Sequence, residues 1–191
     1  ISTAARRINA IITNLLDVNA IDSGQRHLTL QSPDLGNIAA RVILQNSVKA
    51  ETKNIRIQFQ PPAGPVNVTV DESAAEQVLD NIISNAVKYS PLGRTITIRI
   101  AQQRQHARVE VADEGPGLSP NDQAKLFGKF CRLSPKPTAD EPSTGLGLWI
   151  VKQLTESMRG TIRCESELGR GSTFIVEWPT APAASAGASA A

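Results

Sequence analysis

The sequence predicts an α+β fold, a two-layer α/β sandwich preceded by one separate helix. Three observations carry this. The segments IRIQFQ, VNVTV, TITIRIAQQ and HARVEVAD alternate apolar and polar residues, the mark of strands with one face covered. Between them lie stretches with a 3.6-residue apolar period. The order mixes helices with a β-hairpin, a loop, a helix and a second hairpin. This fits helices on one sheet face rather than a doubly wound sheet with helices on both.

Taken in order, ISTAARRINAIITNLLDVNAIDSG repeats apolar residues at Ile8, Ile11, Ile12, Leu15, Leu16 and Val18, a broad helical stripe that Ser23-Gly24 stops. This helix is expected to pack on the domain after it or on another helix. HLTL at 27–30 reads as a short edge strand. Pro33-Asp34 opens a helix from Asp34 to about Thr52 with Leu35, Ile38, Ala39, Val42, Ile43 and Val48 on its apolar side. Strands at 55–60 and 66–70 flank the turn PPAGP. Asp71 is an N-cap candidate for the next helix, which Pro91-Leu92-Gly93 ends. TITIRIAQQ (95–103) and HARVEVAD (106–113) pair as a hairpin. An irregular stretch runs from Glu114 to Thr144 with one helical turn near Asp122–Phe127, and loops of this length are usually functional or mobile. A helix from about Gly145 to Met158 comes next, then TIRCESE and STFIVEW around the turn LGRG. Residues 1–24, 25–179 and 180–191 divide into leading helix, main domain and a low-complexity tail expected to be disordered or to contact its neighbours weakly.

Composition narrows the function. The chain has 191 residues, 40 % apolar and 20 % charged, enough for one domain with a sizeable core. Net charge is +2 with the signs interspersed, so no basic cluster points to nucleic acid. No apolar run approaches the ~18 residues of a membrane span, and no secretory signal pattern occurs. The first residue is Ile1, which reads as a fragment of a longer chain. Cys131 and Cys164 lack zinc or disulfide spacing and read as reduced cysteines of a cytosolic protein.

The chemistry concentrates in DESAAEQVLDNIISNAVKYSP. Val78, Leu79, Ile82, Ile83, Ala86 and Val87 fall on one side, while Asn81, Asn85, Lys88 and Tyr89 fall on another. Asparagine is a poor helix former and an odd choice for a merely solvated face. Its neutral oxygen suits Mg²⁺ shared with phosphates and waters, a lysine adds charge for phosphate, and a tyrosine offers a ring to a base. In DEGPGL, Asp113 stands where a strand enters a loop, able to accept from an exocyclic amine, and Gly115 and Gly117 permit close approach. In STGLGL, glycines at a helix start expose N–H groups to an anion, although Ile150 stands where a dinucleotide fingerprint needs a third glycine. GRGST alone reads as a hairpin turn.

The succession NxxxNAVKYS, DEGPGL, FGKFCRL, TGLGL and GRGSTF closely resembles the five nucleotide boxes of the ATP-binding domain of sensor histidine kinases, over about residues 5–178. NLLDVNAIDSG resembles the end of the second helix of their dimerization domain. The resemblance implies a Bergerat-type sandwich holding ATP and Mg²⁺ between the asparagine helix and a lid at 131–144. It implies Asn85 as Mg²⁺ ligand, Asn81 as its phosphate-side neighbour, Lys88 as phosphate contact and Tyr89 beside adenine. Asp113 would accept from adenine N6, and Gly115 and Gly117 would shape its pocket. Phe127 and Phe130 would anchor the lid base, Arg132 would reach the phosphates, and Gly145, Leu146, Gly147 and Leu148 would form the lid hinge and phosphate-facing helix start. Asn85, Lys88 and Arg132 are thereby the expected catalytic residues.

One departure matters. The family's phosphoacceptor histidine lies on the first dimerization helix, and neither His27 nor His106 has its context. The expectation is a protein-histidine kinase catalytic part that binds ATP without an acceptor of its own. Its partners would be the missing acceptor helix, a second copy in the full-length homodimer, and a response regulator. It would sit in the cytoplasm, or on the cytoplasmic side of a membrane-anchored parent. Two alternatives stand beside it: a gyrase- or chaperone-type ATPase, for which Glu76 and Asp80 are the candidate bases, and a degenerate nucleotide-binding module.

Overall fold

The computed structural model describes residues 27–138 and 144–182, with positions 12, 15–16, 18–21 and 23 of the leading segment. Helix α1 spans Leu35–Thr52 and strand β1 Arg56–Gln60. Helix α2 spans Glu72–Tyr89, followed by β2 (Thr95–Gln103) and β3 (His106–Asp113). A short α3 (Pro120–Lys125) and α4 (Gly147–Ser157) precede β4 (Thr161–Glu167) and β5 (Gly171–Pro179).

The five strands form one mixed sheet in the order β1-β2-β3-β5-β4. β1 and β2 run parallel, Ile57 opposite Ile96, because α2 carries the chain back between them. The other neighbours are antiparallel, with Val111 opposite both Ile98 and Phe174. The alternation decides which face the helices cover. Ile96, Ile98, Ile100, Val109, Val111, Val176 and Trp178 are buried in one core with Val78, Leu79, Ile82 and Ile83 of α2 and Ile150, Val151 and Leu154 of α4. The opposite face carries a polar ladder. Arg99 donates to Gln60 and pairs with Glu110, Arg108 bridges Glu110 and Glu177, and Arg163 reaches Glu177 from the far edge. This is the predicted α+β two-layer sandwich.

Caps fix the helices that frame the site. Asp34 Oδ1 accepts from the amides of Gly36 and Val66, tying the start of α1 to the segment beside it. Asp71 Oδ1 accepts from Ala74 N at 2.9 Å, and Oδ2 from Thr29 N at 2.8 Å. The predicted apolar face of α2 is buried as the periodicity requires. At its other end the Lys53 ammonium, 6 % exposed, donates to the carbonyls of Val87 and Lys88. A cation there meets the negative end of the helix dipole and satisfies carbonyls left without an intrahelical donor.

The structure departs from the sequence reading in places. Residues 27–30 form no strand, and 66–70 makes only single bridges: Asp34 with Asn67, Val68 with Thr180, Gln31 with Val70. Its alternating burial is real, with Val66, Val68 and Val70 all buried, but the neighbouring chain is too irregular for a ladder. The helical turn expected at Asp122–Phe127 starts at Pro120, with Ser119 as its cap and Pro120 in the first turn. α4 begins at Gly147, two residues later than expected, after Gly145 in a left-handed conformation. Thr180 and Ala181, assigned to the tail by composition, hydrogen-bond to Gln105 and Asn67. The rest of that tail, 183–191, lies outside the described residues, as do most of the leading helix and 139–143. In the leading segment, Val18 is buried and Ile21 packs on the core, whereas Leu15 and Leu16 are exposed.

Candidate nucleotide site

A cleft opens between α2, the end of β3 and the segment after α3. It is lined by Asn85 and Tyr89 from α2, Asp113 from β3, and Leu118, Leu133 and Phe174, among others. Most of that wall is apolar, with a few convergent polar groups, as suits a flat aromatic ligand with one polar edge.

Asp113 is the central polar group. Its Oδ1 accepts from Gly115 N at 2.8 Å and Ser172 N at 3.3 Å, while Oδ2 takes no donor from the described residues. Burial pushes its carboxyl up from 3.8 to about 6, against the opposing pull of the two amides. The carboxylate is thus held in place by one oxygen and offers the other to the cleft. Three glycines make this geometry possible. A Cβ on Gly115 would lie 2.6 Å from Asp113 Oδ1. Gly117, at φ +68°, passes so close to β4 that a Cβ would lie 2.0 Å from Glu167 O. Gly171, at φ +103°, would place one 2.0 Å from Asp113 O.

Asn85 lines the cleft, and its side-chain amide has no protein partner among the described residues. That half-buried free amide fits a cation held jointly with phosphates, and no group of three or more His, Cys, Asp or Glu among the described residues could hold a metal instead. Asn81 Nδ2 donates to Gln77 O, and its Oδ1 faces the start of α4, 2.8 Å from where a Gly147 Cβ would stand. Gly147 thus brings the first turn of α4 against the asparagine row. Leu148 lines the cleft, and Leu146 is buried beneath it. Gly145 packs its backbone on Phe130 and Cys131.

Other expected residues lie further out. The Lys88 ammonium stands 5.4 Å from the Tyr89 ring centre, at the cleft's edge. Arg132 is exposed and does not line the cleft. Phe127 packs on the core, but Phe130 is 59 % exposed with φ +58°. Lys129 lies over the Trp149 ring at 4.7 Å. Cys131 and Cys164 are free thiols, and burial, with Asp113 and Glu165 adding to it, pushes Cys164 up to about 12. Sequence reasoning missed Ser172, whose amide holds Asp113. It also missed Ser166, whose hydroxyl joins Leu118 N, Gly171 O and Ser172 Oγ beneath the pocket. A turn motif gives no hint of what its amides face.

A profile described as histidine kinase-, DNA gyrase B- and HSP90-like ATPase matches residues 70–182, more than half of the chain. The chain belongs to this ATPase family. Within it, its relatives include named histidine kinases. The sensor-like histidine kinase SenX3 of Mycolicibacterium smegmatis is 30% identical over 178 residues, covering 93% of this chain and 46% of that protein. The circadian input-output histidine kinase CikA of Synechococcus elongatus is 33% identical over 174 residues, covering 88% of this chain and 23% of its own length. The chain therefore spans less than half the length of these relatives. Among solved structures, full-length ShkA in complex with AMPPNP superposes with TM-score 0.78 at 29% identity, over 91% of this chain and 36% of ShkA. The catalytic domain of the histidine kinase ThkA gives 0.70 at 26%, over 80% of this chain and 96% of that domain. The chain thus carries the ATP-binding domain of the sensor histidine kinases, and the cleft at Asp113 lies inside the region matched.

Proposed function

We propose that this chain is the catalytic part of a histidine kinase that binds ATP with Mg²⁺ in the Asp113 cleft and transfers its γ-phosphoryl to a histidine on another helix. The observation that carries the proposal is the free Oδ2 of a carboxylate fixed by two backbone amides at the apolar end of a cleft whose other wall is the asparagine row.

Asp113 accepts from the exocyclic amine of adenine, with Tyr89 and the apolar lining enclosing the ring. Asn85 faces the phosphate side and is the residue that would hold Mg²⁺, which supplies charge neutralisation on the phosphates. Lys88 adds positive charge at that edge, and the glycine-flanked start of α4, beside Asn81, presents backbone N–H groups. Arg132, exposed at the foot of the lid, can swing toward the phosphates. The exposed Leu15 and Leu16 support a dimerization helix that awaits another helix. His27 follows the stop of that helix and His106 sits in the β2–β3 hairpin, both exposed and neither in the acceptor's context, so we read the acceptor as lying on another helix. A homodimer, a response regulator and a cytoplasmic location follow from that role, and no helix among the described residues is long and apolar enough to cross a membrane.

The hydrolase alternative finds little support. Glu76 pairs with Arg41 of α1 and Asp80 accepts from Asn46 of α1, so both candidate bases turn away from the cleft. The test supplies a separate polypeptide bearing an acceptor-histidine helix together with Mg²⁺ and radiolabelled ATP. Label on the histidine supports the kinase. Nucleotide bound with steady phosphate release, lost on Glu76→Gln or Asp80→Asn, would favour hydrolysis instead.

A further inference from the structure

Asp122 is buried, 5 % exposed, on a six-residue helix that has no part in the chemistry described above. It occupies the third position of α3, where an acidic residue ordinarily reaches back to the amide of the capping residue. Here its carboxylate is used differently. Oδ2 accepts from the Ser119 hydroxyl at 2.7 Å, and Oδ1 accepts from both the amide (3.0 Å) and the hydroxyl (3.1 Å) of Ser134, twelve residues onward. Ser134 stands between Leu133 and Pro135, both of which line the cleft.

The next anchor is Thr138. Its amide donates to Lys88 O at 3.1 Å, and its hydroxyl lies 3.0 Å from Lys88 O and 3.1 Å from Ser90 O. These carbonyls end α2, and Lys88 O is also held by the buried Lys53 ammonium at 3.2 Å. Between the anchors runs Pro135-Lys136-Pro137. Two prolines restrict the chain before it is anchored and so reduce the entropy lost on fixing it. Burial alternates along the segment, with Leu133, Pro135 and Pro137 half-buried and Ser134, Lys136 and Thr138 exposed. An extended strap with one face over the cleft has this pattern.

We infer that Asp122 and Thr138 are positioning residues that hold residues 133–138 as a strap across the base end of the nucleotide cleft, setting how fast nucleotide leaves. This rests on the reading of the cleft as a nucleotide site. Neither residue lines the cleft, so their effect passes through Leu133 and Pro135. Two anchors on different elements, one on α3 and one on the end of α2, mean that release requires breaking polar contacts at one of them.

The experiment follows dissociation of N-methylanthraniloyl-ADP with Mg²⁺ from the full chain by stopped-flow fluorescence. Asp122→Ala should speed dissociation about tenfold and Thr138→Val about threefold, the range expected for loss of charged and neutral hydrogen bonds. Association rates should hold or rise. Thr138→Ser, which keeps the hydroxyl, should behave as wild type, a rescue that a merely structural role would not require. Should Asp122→Ala not fold, Thr138→Val and Ser134→Ala decide the matter. Unchanged dissociation rates in these variants, with Asp113→Asn still weakening binding, would overturn the strap. Asp113→Asn binding as tightly as wild type would instead overturn the nucleotide site itself.

Discussion

The two walls of the cleft are built in opposite ways. The inner wall, α2 with the end of β3, belongs to the core: the residues between its functional side chains, such as Ile82, Ile83, Ala86 and Val87, are buried. Its polar groups are positioned by backbone that cannot move without disrupting the sheet. The outer wall, residues 131–138, has almost no core behind it and is placed by Asp122, Thr138 and the backbone of Gly145. The contrast fits a site that recognises a base rigidly and must let it in and out. Few buried contacts and a handful of polar anchors make a region that opens at low cost, whereas a core element does not.

The sharpest way to break this contrast is to attack the inner wall's backbone. Gly117→Ala adds a Cβ against Glu167 O at a left-handed φ, so denaturant unfolding should show a loss of about 4 kcal/mol or more, or no folded protein. Substitutions in the strap should cost the fold far less while changing exchange rates. Next in size is Asp113→Asn, which should weaken ATP binding by about 10- to 100-fold, as for loss of a hydrogen bond to a charged acceptor.

The same variant carries a sign that a simple packing residue would not. The folded protein holds the Asp113 proton up to about pH 6, whereas the unfolded chain releases it near 3.8. The group therefore favours the folded state below the lower value, and that contribution is lost as pH rises toward about 6. Above pH 6 the buried charge costs up to roughly 3 kcal/mol, so nucleotide-free Asp113→Asn should be more stable than wild type at pH 7 by thermal or denaturant melting. At pH 4 that advantage should largely vanish. Smaller effects are expected elsewhere. Lys53→Met should destabilise the end of α2 by about 1–3 kcal/mol, since it strips Val87 O and Lys88 O of a buried donor. On the open sheet face, Arg99→Gln should change stability by less than about 0.5 kcal/mol.

Legibility in the sequence divides along the same line. Local periodicity located α2 with both of its faces and placed β2 and β3 residue for residue, because alternation and helical period are written within one element. Asn85, Tyr89 and Asp113, singled out by separate motifs, line one cleft, and Asn81 stands against Gly147 at the start of α4. The segment 66–70 misled because a strand needs a regular neighbour, and its own alternation cannot report one. Lys53, Asp122 and Thr138 were silent for a related reason. Their partners lie 35, 12 and 50 residues away, and a lone lysine, aspartate or threonine carries no local sign of a distant carbonyl or amide.

The central claim is that one oxygen of Asp113 is reserved for the base of ATP. Calorimetric titration of wild type and Asp113→Asn with Mg²⁺ and ATP, from pH 5 to pH 8, tests it most directly, because phosphate ionisation cancels in the ratio of the two affinities. The ratio should be large and flat above about pH 6 and shrink below it, as wild type loses its charged acceptor. Equal affinities throughout, or a ratio indifferent to pH, would contradict the assignment.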